Sequence, residues 1–98
     1  MASFKLSAKA KDDLRNIARY TQERWGREQR NIYLKQFDDA FSLLSEAPEI
    51  GPTCDFIKSG YRKFPQGSHV IFCKQGPSST VQIVRILHKH MDVSLNLG

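Results

Sequence analysis

Apolar and polar positions alternate at the start of the chain, where Phe4 and Leu6 stand between Ser3, Lys5 and Ser7. A period of two puts alternate side chains on one face, so a short strand with one buried face is predicted, with Ser7 placed to cap the next element. From Ala8 the period changes. Leu14, Ile17, Ala18, Thr21 and Trp25 recur three and four apart and so share one helical stripe. Gly26 ends that helix, since glycine enters the left-handed cap conformation without steric cost. A second helix, from about Arg27, places Tyr33, Phe37, Ala40, Phe41 and Leu44 on one face, widened by Ile32, Leu34 and Leu43, and Pro48 stops it. Two antiparallel helices joined at a glycine make a hairpin with a broad aromatic inner face. An arc this broad is expected to leave part of itself uncovered.

Residues 48–59 hold two prolines and a glycine, but also Ile50, Phe56 and Ile57, so a loop tacked down by these apolar anchors is expected. Three strands follow, at about Tyr61 to Phe64, Val70 to Lys74 and Val81 to His88. Pro65-Gln66-Gly67 and Gly76-Pro77-Ser78-Ser79 separate them, and both carry turn chemistry. Short connections make neighbours antiparallel. In the last strand Val81, Ile83 and Leu87 are expected on one face and Val84 and Ile86 on the other. Arg85 interrupts the first face. A cation among aliphatics is costly unless paired, so its bland reading is a structural charge satisfied by a helix carboxylate or by backbone carbonyls. The fold class is α+β: an N-terminal strand, an antiparallel helical hairpin, then a three-stranded antiparallel meander, forming a single domain over residues 1–98.

Charge is uneven. Residues 1–51 carry nine Lys and Arg against eight Asp and Glu, whereas residues 52–98 carry six (Lys58, Arg62, Lys63, Lys74, Arg85, Lys89) against two (Asp55, Asp92). The surplus falls on the meander, which favours an anionic partner: nucleic acid, an acidic protein segment, or a protein already holding DNA. Solubility alone is the plainer reading of a net charge of +5. Cys54 and Cys73 follow no metal-ligand or redox spacing and no apolar signal core opens the chain, which fits a reducing cytoplasm. No run reaches the roughly 18 apolar residues of a membrane span. His88, His90 and Asp92 could place three ligands along an extended segment, but nothing completes a zinc site, so no metal and no cofactor is expected. Cys73, between Phe72 and Lys74, reads as a small buried residue.

The order strand, helical hairpin, meander resembles the ParE branch of the RelE/ParE toxin superfamily. The matches are the opening of the first helix (Ala8-Lys9-Ala10-Lys11-Asp12-Asp13-Leu14-Arg15-Asn16-Ile17-Ala18), Gly60-Tyr61-Arg62-Lys63, Gly67-Ser68-His69-Val70-Ile71-Phe72 and Val84-Arg85-Ile86-Leu87-His88. Each is weak alone, but their order and spacing together are specific. The resemblance implies the toxin half of a type II toxin–antitoxin system. ParE-like members are known as inhibitors of DNA gyrase that trap its cleaved-DNA complex and block replication. RelE-like members are metal-free nucleases that cut messenger RNA on the ribosome.

Cleavage through a 2′-hydroxyl needs a base, an acid and cations on the phosphate. Candidates for that alternative are Arg62, His69, Arg85 and His88, with Lys63 and His90 nearby. However, the tail after His88 lacks the tyrosine that many RelE-like nucleases carry, and Arg62 and Lys63 point to opposite faces of their strand. The reading is therefore a non-enzymatic inhibitor. The resemblance also implies a ParD-like antitoxin with a ribbon-helix-helix region, through which the toxin meets operator DNA only indirectly. The antitoxin's amphipathic segment is expected over Ile17, Trp25, Tyr33 and Phe37, with its acidic side on Arg62, Lys63 and Arg85. Gyrase is expected at Lys89 and at a tail whose Met91, Val93, Leu95 and Leu97 alternate like a strand seeking an edge.

Overall fold

The computed structural model describes residues 3–55, 57–91 and 93. Strand β1 (Ser3–Leu6) leads into helices α1 (Ala8–Trp25) and α2 (Arg27–Glu46), and a 3-10 turn over Pro48–Ile50 comes next. The meander is β2 (Tyr61–Gln66), β3 (His69–Gln75) and β4 (Thr80–His88). The sheet order is β1-β4-β3-β2, with β1 parallel to β4 and the other pairs antiparallel. The N-terminal strand thus completes the meander as a fourth strand at its edge.

Local chemistry sets the helix boundaries. Ser7 caps α1 by accepting the Ala10 N–H at 3.0 Å, satisfying one of the orphan donors of the first turn. Gly26 ends α1 and starts α2 at φ 93°. A side chain adopts such a φ only under strain, and a single glycine therefore makes the whole hairpin turn. The inner face of the hairpin packs on the sheet through Ala10, Ile17, Phe37, Ala40, Phe41 and Leu44, against Ile71, Cys73, Val81, Ile83 and Ile86. Tyr33, Phe37, Phe41 and Phe4 form a row of tilted or edge-on rings with centroids 4.9, 6.1 and 5.5 Å apart, geometry that favours the aromatic quadrupoles.

The other face of the sheet is covered as well. Cys54, Tyr61, Phe72 and Leu87 form a second cluster, with Ile57, Val70, Val84 and Val93 packed against it. The segment before β2 is therefore anchored mainly by Cys54, which is fully buried. Ile50, expected as an anchor, is exposed, and Phe56 lies outside the described residues.

Two expectations for the strands need correction. The faces of β4 do not alternate throughout, because the pairs Cys73↔Ile83 and Phe72↔Arg85 leave Val84 as the extra residue of a β-bulge. A bulge inverts the parity beyond it. Ile86 therefore joins Val81 and Ile83 beneath the helices, and Leu87 and Val84 lie on the opposite face. The second correction concerns Pro65 and Gln66, which belong to β2, so the hairpin turn is only Gly67 and Ser68. Proline is tolerated there because β2 is an edge strand with one neighbour.

The bulge also explains how α1 is fixed to the sheet. β1 pairs with β4 only as far as Leu6↔Ile83, so beyond that point the edge of β4 needs other partners. Side chains of the segment after β1 supply them. Ser7 Oγ donates to the Val84 carbonyl at 2.7 Å, and Asp13 Oδ2 accepts the Ile86 N–H at 2.9 Å. Among the described residues no helix is long and apolar enough to cross a membrane.

Candidate functional site

Trp25, on the apolar stripe of α1, is 67% exposed, and Tyr20 on the preceding turn is 57% exposed. The last turn of α1 leaves the sheet and opens a cleft of about 580 Å³. Its helical wall is Tyr20, Thr21, Trp25, Gln29 and Tyr33. Its opposite wall is the β2–β3 turn, with Ser68, His69 and the end of β4 at His88.

The floor of the cleft is held by Tyr33. Its hydroxyl accepts the Ser68 N–H at 3.2 Å and lies 2.8 Å from His69 Nδ1 and 3.2 Å from the Gln66 carbonyl. Burial raises the Tyr33 pKa, so the phenol stays protonated. Burial pushes the His69 imidazole down to about 4, and the neighbouring His88 pushes the same way. His69 is therefore neutral near pH 7. His69, His88 and His90 form a row with ring centroids 5.4 and 5.2 Å apart. His88 Nδ1 accepts the His90 N–H at 3.2 Å, which leaves Nε2 as the proton-bearing nitrogen of the neutral ring. No group of three or more His, Cys, Asp or Glu among the described residues could hold a metal ion.

Arg85 is placed elsewhere. Its Nε and one terminal nitrogen donate to the two oxygens of Asp13 at 2.7 and 3.0 Å, with both side chains largely buried. That hydrogen bond raises the Arg85 pKa further. The carboxylate expected from the helices is thus Asp13. Sequence reasoning did not single it out, although a signal was present: Asp13 lies on the stripe of Ala10, Leu14, Ile17 and Thr21, where a carboxylate is as anomalous as Arg85 in its strand. Tyr20 and Gln29 carry no comparable signal, since each is an ordinary helix-surface residue.

The remaining candidates do not form one site. Arg62 donates to the Gly51 carbonyl at 2.7 Å on the helix side of β2, and Lys63 pairs with Phe72, whose side chain belongs to the opposite face. Phe37 is fully buried and Ile17 nearly so, and neither offers surface to a partner. Of the nuclease candidates, the cleft brings together His69 and His88 but not Arg62 or Arg85. Past β4 the Met91 N–H bonds the His88 carbonyl in a turn, and Val93 packs against the second cluster. Neither residue stands in the extended strand expected of the tail. Lys89 and Met91 are exposed, and Leu95 and Leu97 lie outside the described residues.

A second concavity, of about 320 Å³, lies where Leu6, Leu14, Ala18 and Leu34 meet, with Lys11 and Arg15 also lining it. It is mainly apolar, and cations stand on its α1 side.

Residues 4–93 match the family described as ParE toxin of type II toxin-antitoxin system, parDE. The chain is similar to Toxin ParE1 of Mycobacterium tuberculosis, 39% identical over 94 residues, which are 96% of each chain. It is likewise similar to Toxin ParE1 of Caulobacter vibrioides, 36% identical over the full length of both. In fold it matches a solved structure from the chromosomal ParDE TA system of P. aeruginosa with a TM-score of 0.75 at 20% identity, covering 90% of this chain and 96% of that one.

Proposed function

Because the chain belongs to the ParE toxin family of type II toxin–antitoxin systems, we propose that it acts in the cytoplasm by contact, holding DNA gyrase in the state in which its DNA is cut. A poison of this kind turns nothing over. It needs only to bind the cleaved state better than the resealed one, and a difference of about 2.7 kcal/mol moves that equilibrium a hundredfold. The observation that carries the reading is the use made of the two sheet arginines. Arg85 is already neutralised by Asp13 and Arg62 holds the Gly51 carbonyl, so both guanidiniums best suited to a phosphate serve the fold. The gyrase-facing surface is placed at the exposed Lys89 and Met91, beyond the end of β4.

The antitoxin is ParD-like, and its apolar side covers the concavity between Leu6, Leu14 and Leu34, with acidic residues over Lys11 and Arg15. Trp25 and Tyr33 lie at the far end of the same hairpin. Such a segment folds as it binds and offsets its ordering cost through apolar burial. A complex that survives molar salt supports this placement, whereas one that dissociates there points to charge pairing instead.

One arrangement favours a second reading, cleavage of messenger RNA: His69 and His88 share a cleft, and His69 is neutral near pH 7 and so could accept a proton. A single comparison separates the two. The purified protein is incubated with gyrase, supercoiled DNA and ATP beside a translation extract in which messenger cuts are mapped. Linear DNA after detergent and protease is expected. Severed messenger with gyrase unaffected would overturn the reading.

A further inference from the structure

We infer that the cleft between the hairpin tip and the β2–β3 turn is a binding site for single-stranded DNA, with one base stacked on Trp25 or Tyr20 and the adjoining phosphate held by Arg24 and His88. The inference deepens the gyrase reading and rests on it only for the choice of DNA over RNA.

Four observations lead there. First, two large aromatic rings, Tyr20 and Trp25, stand exposed near the end of a helix, where the core gains nothing from them. Second, Arg24 lies between them, its guanidinium carbon 5.6 Å from the Tyr20 ring centroid and 6.0 Å from that of Trp25. A cation is thereby held beside the rings, and its planar group can itself stack on a base. Third, no Asp or Glu is among the described residues that line the cleft. Fourth, the opposite wall supplies donors, because His88 carries its proton on Nε2, directed away from the bond that Nδ1 makes with His90. Flat π faces and donors in the lining, a guanidinium beside the rings and no carboxylate among the described lining residues suit an unpaired nucleotide. An apolar protein anchor would fill the same volume but leave His88, Ser68 and Gln29 facing it without suitable partners.

Size agrees with this choice. A cleft of about 580 Å³ lies within the range of roughly 300 to 1,000 Å³ that takes small ligands, enough for a nucleotide and too small for a duplex. A duplex also hides its π faces within the stack, so strong preference for single strands is required. In a cleaved-DNA complex the ends beside the break are where bases leave the stack most easily, so a toxin that captures one of them would oppose resealing.

The test uses the protein alone. Trp25 is the sole tryptophan, so its emission reports stacking directly. The full chain is titrated with a ten-nucleotide deoxythymidine strand, a duplex of equal length and a ten-nucleotide uridine strand. Saturable quenching by the deoxythymidine strand is expected, with the duplex at least tenfold weaker. Fluorescein-labelled strand then measures variants by anisotropy: Trp25→Ala, Tyr20→Ala and Arg24→Gln should each weaken binding about tenfold, and all three sites are exposed, so the core is untouched. The inference is overturned by absence of binding at about 1 mM strand, a concentration well above ordinary non-specific affinity. It is also overturned by a duplex that quenches as strongly, or by uridine binding tenfold tighter than deoxythymidine. If the strand binds as expected while gyrase proves indifferent to the protein, the cleft assignment stands and the gyrase reading falls.

Discussion

Arg85 and Asp13, 72 positions apart, are joined by two hydrogen bonds of 2.7 and 3.0 Å, and the same carboxylate holds the Ile86 N–H at 2.9 Å. One side chain on α1 thereby neutralises the cation of β4 and closes the strand edge that β1 leaves open.

Removing the carboxylate should therefore cost more than an ordinary ion pair. Asp13→Ala takes a charge partner from a largely buried guanidinium and the acceptor from a backbone amide, a loss of about 3 kcal/mol. Arg85→Ala should cost a similar amount, and the double variant clearly less than the sum, with a coupling of about 1 to 3 kcal/mol. Urea unfolding of the four proteins measures the cycle. Strictly additive losses would mean that the two residues stabilise the fold independently.

His69 gives the fold a pH dependence whose sign is fixed by its depressed pKa. The unfolded imidazole titrates near 6.5 and the folded one near 4, so below 6.5 the unfolded state takes up the proton more readily. This contribution is complete above about pH 6.5 and is lost as the pH falls towards 4. Discounted for partial exposure, it amounts to about 2 kcal/mol. Tyr33 and Phe37 of α2 and His88 of β4 face the ring, and Asp13 opposes the shift from a distance. Carboxylates titrate in the same window, so the comparison is with His69→Gln, which should lose less stability between pH 7 and pH 4.5. Parallel loss in both proteins would contradict the assignment.

Much of this fold was legible in the sequence because it follows from short-range rules. The period change after Leu6, the cap at Ser7, the break at Gly26 and the turns near Gly67 and Ser78 act within a few residues, and these elements lie close to where the pattern puts them. The failures share a longer reach. The inversion at Val84 depends on which strand lies opposite. The placement of β1 as a parallel edge strand depends on a partner about 77 positions away, and how far Trp25 and Tyr20 stand clear of the core depends on where the helix outruns the sheet, which periodicity does not measure. The ion pair was half legible: Arg85 stood out among aliphatics, whereas Asp13 was masked by Asp12 and by an ordinary acidic helix start. The cleft was hidden because its two walls are ordinary surface residues until the hairpin and the β2–β3 turn meet.

The β3–β4 turn carries strain that can be relieved. Ser78 and Ser79 adopt φ of 55° and 60°, where a Cβ crowds the backbone at a cost of about 1 kcal/mol each. Ser79→Gly, and Ser78→Gly beside it, should each raise the melting temperature by about 4 °C or more for a domain of this size. Gly76→Ala at the same turn should do the reverse, since its Cβ would lie 2.9 Å from the Thr80 carbonyl oxygen. Calorimetry on the three variants decides it, and unchanged melting in both serine variants would show that the turn is not strained.

Gly67 joins the fold to the cleft, and its replacement should damage both. Its φ is +58°, and a Cβ there would lie 2.7 Å from the Tyr33 hydroxyl and 2.8 Å from the ring. Gly67→Ala must then displace Tyr33, which holds the Ser68 N–H and His69. Backbone strain of about 1 kcal/mol and the loss of these contacts give an expected cost of about 2 to 3 kcal/mol. The two parts can be separated. In a Tyr33→Ala background the obstructing ring is gone, so the same Gly67→Ala change should cost only the conformational part, about 1 kcal/mol. Tyr33→Phe keeps the ring but already lacks the hydroxyl contacts, so there the change should cost an intermediate amount, the conformational part plus the collision with the ring carbons. Urea midpoints of these pairs provide the measurement. An equal cost for Gly67→Ala in all three backgrounds would mean that the glycine answers to its backbone angle alone and that Tyr33 does not constrain the turn.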